Sequence, residues 1–301
     1  MTPFARKTLG FAAFLAACVG LAWPSVRELV RLSLTQDTYS HILLIPFITL
    51  ALIWMHRGAK TPWTGTSQRA AAALFVAGAA LFALAGRLAS LIPGADPLAF
   101  SVLALVLEIW TGVLFFYGAA AFRAYQFPLV FLILIVPLPQ ALIDEFIELL
   151  RNGSATVTHV LFRLTGTPVL RQGYVFVVPG AAIDIAPECS GIRSALAMLV
   201  TCLLAGYLFL RTGWARTALL LATIPMLVIK NGIRIVTLTL LATHVDPKFL
   251  TGSLHHQGGF VFFLVGLFIL WPVLIWLQKA ERRKYGSPGP RPAQPVPAAP
   301  A

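Results

Sequence analysis

Charge is what this chain has least of. Asp, Glu, Lys and Arg make up 11% of its 301 residues and 58% are hydrophobic, whereas roughly a quarter of a soluble domain is charged. With a mean hydropathy of +0.83, that shortage excludes a soluble domain and leaves a polytopic membrane protein. Acidic residues are the scarcer sign, 11 against 23 basic, for a net charge of +12. Here the basic residues stand at the ends of apolar runs, where they report orientation across a bilayer, so no nucleic-acid partner is expected. Cysteine is nearly absent too. Cys18 lies inside the first apolar run, and Cys189 and Cys202 fall on what the pattern predicts to be one helix. Thirteen helical residues separate that pair by roughly 20 Å, and a disulfide needs Cα atoms within about 7 Å, so the two do not bridge. One isolated thiol and the adjacent His255 and His256 make no convincing zinc set, and no metal or cofactor is expected. No internal repeat is present.

What is there is a series of apolar runs. Read as spans of about 20 residues, they fall near 9–23, 41–55, 70–91, 98–117, 127–142, 189–210, 214–240 and 255–277. Basic clusters at Arg6 and Lys7, Arg57 and Lys60, Arg123, Arg211 and Arg216, and Lys279 to Lys284 all fall on one side if the chain alternates. By the positive-inside rule that side is the cytoplasm, with both termini. The segments 24–40, 92–97, 137–188 and 242–254 then face outward. Leu15-Ala16-Ala17-Cys18 is similar to a lipoprotein processing site, but the apolar run continues to Trp23, which favours a retained anchor.

The expected fold is therefore an all-α polytopic membrane protein, residues 1–285, of about eight transmembrane helices. Its one long outward loop, 137–188, carries an amphipathic helix and a short β-hairpin. Phe146, Leu149, Leu150, Val157, Val160 and Leu161 recur at helical spacing over 144–164, which suits a helix on the membrane surface in contact with lipid. Segments 168–171 and 174–178, joined through Gln172-Gly173, read as the hairpin, and 182–186 as a third strand leading to Cys189. Residues 286–301 are mostly Pro, Ala and Gly and read as a disordered tail.

The polar octet Pro187-Glu188-Cys189-Ser190-Gly191-Ile192-Arg193-Ser194 opens the sixth run. That reading puts Cys189 in the first turn of a helix, where unpaired N–H groups and the helix dipole favour a thiolate. Arg234, in Lys230-Asn231-Gly232-Ile233-Arg234-Ile235, and His255 with His256 fall at the same depth on the next two runs. Thiol, guanidinium and imidazole suffice for acyl transfer: nucleophile, oxyanion donor and proton carrier. An intramembrane arginine costs about 3 kcal/mol to insert and by default marks function. Arg193, four residues after Cys189, is expected on the same helix face, to lower the thiol pKa or receive a carboxylate. Ser190, Asn231, Lys230 and His256 are supporting or substrate-binding candidates. Asp37, His41 and Glu108 read as structural polar contacts, and Cys18 and Cys202 as small apolar fillers.

Cys189-Ser190-Gly191-Ile192-Arg193, Asn231-Gly232-Ile233-Arg234-Ile235, and His255 with Gly259 and Phe260 together resemble the exosortase and archaeosortase family of membrane transpeptidases. The likeness extends to Tyr39-Ser40-His41, Phe127-Pro128-Leu129, Pro137-Leu138-Pro139 and Gly166-Thr167-Pro168-Val169, covering about residues 35–275. The resemblance implies a bacterial inner-membrane enzyme with its site facing the periplasm and Cys189, Arg234 and His255 as the catalytic set; His256 is the alternative imidazole. Its implied partners are secreted proteins that end in a Pro-Glu-Pro motif, a transmembrane stretch and a basic cluster, which it cuts and transfers to an unidentified acceptor. The rival expectation is a non-enzymatic transporter or polysaccharide-export component, with Arg234, Lys230 and Glu108 along a path.

Overall fold

A computed structural model describes residues 2–56, 66–89, 91, 95–249 and 259–286. The Arg57 and Lys60 cluster, part of the 92–97 loop, His255, His256 and the Pro/Ala-rich tail from 287 lie outside the described residues. Seven described helices are long and apolar enough to cross a membrane, eight when the bent pair Gly118–Ala124 and Gln126–Ile135 counts as one span. The protein is an all-α polytopic membrane protein with one small sheet. It divides into two compact units, Met1–Leu142 and Ile143–Ala301.

In the first unit α1 (Pro3–Leu21) is followed at once by α2 (Trp23–Thr35), and a 3-10 segment (Asp37–Leu44) leads into α3 (Ile45–His56). The segment 24–40, expected to face outward, is thus largely helical. Its apolar positions are few, but Leu29 and Leu32 are buried with Ser33 while Arg27, Glu28 and Arg31 stay exposed, an amphipathic pattern. α4 (Gln68–Leu88) pairs with α5 (Ala95–Phe116). Ala71, Gly78 and Ala85 recur every seven residues on the buried face of α4, and such small residues let apolar helices approach closely. At Gly78 the space a side chain would take holds the Glu108 carboxylate of α5, whose buried Oε2 has no hydrogen-bond partner among the described residues. His41 Nδ1 pairs locally with the Thr38 carbonyl at 3.1 Å. The helix of the expected fifth span, 127–142, ends at Ile135, and a short helix precedes it: α6 (Gly118–Ala124) and α7 (Gln126–Phe131), continued by a 3-10 turn to Ile135, meet at 77°.

The second unit takes α8 (Gln140–Leu164) from Ile143 onward, then β1 (Leu170–Gln172), β2 (Val175–Val178) and β3 (Ala181–Asp184), α9 (Ile192–Phe209), α10 (Gly213–His244) and α11 (Gly259–Tyr285). The sheet is antiparallel in the order β1-β2-β3. Gly173 and Gly180 turn it at φ +62° and +85°, and Pro179-Gly180 is the pair that a type II turn requires. The hairpin and third strand are where the sequence reading puts them. α8 is amphipathic as that reading expects, though its apolar stripe is not exposed throughout. Buried are Ile143, Leu150, Ser154, Ala155, Thr158 and Phe162, whereas Leu142, Leu149, Val160 and Leu164 are exposed. Nor does it stand apart from the spans. A Cβ on Gly153 would meet Val228 of α10 at 2.8 Å, and one on Gly232 would meet Val157 at 2.6 Å. Each helix advances four residues in the same sense between those contacts, so α8 and α10 run side by side.

Candidate active site

The turn that carries the thiol is built from the sheet outward. The Ile185 N–H donates to the Tyr174 carbonyl at 3.1 Å, extending the β2–β3 pairing, and Arg151 Nε of α8 donates to the Ile185 carbonyl at 2.8 Å. Pro187 then starts a 3-10 turn, Pro187–Ser190, in which the Cys189 N–H donates to the Ala186 carbonyl at 2.8 Å. Gly191 follows at φ +75°, and α9 begins only at Ile192. Cys189 therefore does not sit in the first turn of α9, as the octet suggests, but in a separate turn whose backbone N–H is already spent. The left-handed conformation at Gly191 breaks the helix, and only glycine adopts it without a steric cost. For the same reason Arg193 is not one helical turn from Cys189 on a shared face. It is the second residue of α9, and it is exposed.

Cys189 is half-buried. It packs against a core formed by Ala155 and Phe162 of α8, Phe176 and Val178 of β2, Ile185, and Ile235 and Val236 of α10. Across from it α10 presents its polar residues. Asn231, 1% exposed, donates through Nδ2 to the Cys189 carbonyl at 3.0 Å and to Ser154 Oγ of α8 at 3.0 Å. Arg234, three residues along on the same helix face, lies within electrostatic reach of the Cys189 sulfur. Lys230, 2% exposed, donates to Ser194 Oγ of α9, which in turn donates to the Gly191 carbonyl at 3.0 Å. The lysine stem passes Gly266 of α11, where a Cβ would sit 3.2 Å from Lys230 Cδ. Lys230 also lies within electrostatic reach of Arg234.

The structure thus brings together Cys189, Ser190, Asn231, Lys230 and Arg234, with Arg193 at the rim of the same helix end. α11 runs antiparallel to α10: Gly266 flanks Lys230, while Glu281 near its far end accepts from the Arg211 and Thr212 N–H groups at the start of α10. The first described residue of α11, Gly259, is accordingly at the Cys189 end. His255 and His256 precede it and lie outside the described residues.

Three buried polar atoms here have no partner among the described residues: Ser190 Oγ, Asn231 Oδ1 and, on α8, Thr158 Oγ1. Unpaired buried polar atoms are costly and gather where a ligand or water is handled. Two contributors were missed from sequence: Arg151, which holds Ile185, and Ser154, which anchors Asn231. The available signal was the run Gly153-Ser154-Ala155, small and polar where a lipid-facing helix would be apolar.

No match was found among curated proteins or among solved structures. A protein-family model does match: Exosortase_EpsH, the transmembrane exosortase, over residues 32–272. That match takes in the Cys189 turn, the Lys230–Arg234 stretch and both histidines, and by it this multi-pass chain belongs to the transmembrane exosortase family.

Proposed function

We propose that this chain is a membrane-embedded cysteine transpeptidase that removes a carboxy-terminal sorting signal from secreted proteins and transfers them to an acceptor. One observation carries the reading: a half-buried thiol held at the end of a three-helix bundle, with an intramembrane guanidinium in electrostatic reach of its sulfur. The thiolate attacks the scissile carbonyl and forms the C–S bond, while Arg234 donates hydrogen bonds to the oxyanion. As the C–N bond breaks, the leaving amine takes a proton from His255, or from His256 in the alternative assignment. The acceptor amine then attacks the thioester, gives its proton to the same imidazole, and releases Cys189 as thiolate. Lys230 holds positive charge one helical turn from Arg234, Arg193 contacts the substrate at the rim, and Ser190 supports the thiol turn from within. The signal it recognises is a Pro-Glu-Pro motif followed by an apolar span and a basic cluster. The site faces the periplasm from a bacterial inner membrane, with both termini in the cytoplasm.

The test is a Cys189→Ala chain co-expressed with a reporter that ends in that signal. The reporter should accumulate at full length, with the wild-type chain trimming it. Continued trimming by Cys189→Ala would overturn the thiol mechanism and return the transporter reading to the front. The mass of the product's carboxy terminus separates transfer from hydrolysis.

A further inference from the structure

We infer that Asn231 is the positioning residue that sets the Cys189 thiol against Arg234. This rests on the thiol-enzyme reading above and assigns a residue to it. The Cys189 carbonyl can only accept a hydrogen bond, so the side-chain nitrogen of Asn231 must face it, and that orientation also fits the 3.0 Å contact to Ser154 Oγ. One amide therefore ties three elements together: the nucleophile turn, α8 and α10. Its oxygen lies 2.8 Å from where a Cβ on Gly191 would be, so the amide also packs against the left-handed residue that ends the turn. Because Asn231 and Arg234 are three apart on α10, they share a face. Any rotation or slip of α10 that moved the guanidinium would move the amide with it. The helix that brings the charge is thereby locked to the backbone that bears the sulfur, and Asn231, 1% exposed, has no other hydrogen-bond partner among the described residues.

Other charges stand on the elements around the thiol: Lys230 on α10, Arg193 on α9, Arg151 and His159 on α8, and Asp184 on β3. Glu188 precedes Cys189 in the chain. The test must therefore isolate the Asn231–Arg234 coupling from the general field, which a double-mutant cycle does.

The full chain in detergent is alkylated with iodoacetamide across pH, and the Cys189 peptide is followed by mass spectrometry. This reads the thiolate fraction without any peptide substrate. Arg234→Ala should raise the midpoint of the profile by about one pH unit. Asn231→Ala should raise it by a similar amount, and the double variant by no more than either single one, the signature of residues that act through one another. Ser154→Ala, which keeps Asn231 but removes its second anchor, should shift the midpoint in the same direction by less. A wild-type midpoint in both Asn231→Ala and Ser154→Ala would overturn the inference, and so would additive shifts in the double variant. The Cys189→Ala reporter assay is independent of this profile, so failure of the enzyme reading and failure of the positioning role are told apart.

Discussion

Gly191 holds φ +75°, and a Cβ there would press on Asn231 Oδ1 at 2.8 Å, so two separate costs meet any side chain at this position. The left-handed conformation alone costs a non-glycine residue about 1–2 kcal/mol. Gly191→Ala should accordingly lower thermal stability in detergent by at least that amount and slow Cys189 alkylation, whereas Gly213→Ala, with open space around its Cβ position, should be nearly silent. Lys230 argues the opposite way. A lysine with 2% exposure and a hydroxyl as its hydrogen-bond partner adds little net stability, because desolvation of the ammonium offsets what the bond returns. Lys230→Met preserves the stem that fills the gap beside Gly266 and should change stability by no more than about 1 kcal/mol. Reporter processing should nonetheless fall roughly tenfold or more, equivalent to about 1.4 kcal/mol on the barrier. Retained processing would reduce Lys230 to packing.

Among the elements, the sheet is the one whose attachment can be tested by itself. The Tyr174 hydroxyl donates to Glu148 and lies 2.8 Å from Asn152 Oδ1, both on α8, and the Arg151 guanidinium lies 4.0 Å from the Tyr174 ring centroid. These contacts, with the Arg151 bond to Ile185, seat β2 and β3 on α8 just before the Cys189 turn. The hydrogen bond to Glu148 pushes the Tyr174 phenol up from its ordinary value. A raised folded-state value means the neutral phenol is preferred in the native protein. Its contribution is therefore present below the ordinary phenol value of about 10 and fades as pH rises beyond it. Tyr174→Phe should speed amide exchange in β2 and β3 at neutral pH while leaving α10 unchanged. The difference from wild type should shrink above pH ~10. α8 shows why its contribution to the site was missed. A 3.6-residue apolar period marks the face that leaves water, and in a membrane that face can meet lipid, leaving small and polar residues such as Ser154 and Thr158 to pack inside.

For the whole molecule, the proposed orientation has Cys189 at the outer face, while Cys18 lies within α1 and Cys202 is buried in α9. A membrane-impermeant maleimide added to intact spheroplasts should label Cys189 and spare the other two. Labelling of Cys189 only after permeabilisation would reverse the orientation and move the proposed substrates to the other side of the membrane.

The sequence by itself determined the class of protein and, to within one, the number of spans, because long apolar runs and their charged flanks answer to the bilayer and need no knowledge of which helix touches which. It also singled out Cys189, Asn231, Lys230 and Arg234, since polar residues in such runs stand out against their neighbours. Only the tertiary structure decided how they meet. That Cys189 occupies a turn of its own depends on Gly191 bending against an α10 side chain, that Ser154 and Arg151 belong to the site depends on α8 lying along α10, and that α6 meets α7 at 77° depends on packing. Such contacts join residues far apart in the chain, and their energies belong to neighbours that no local period encodes.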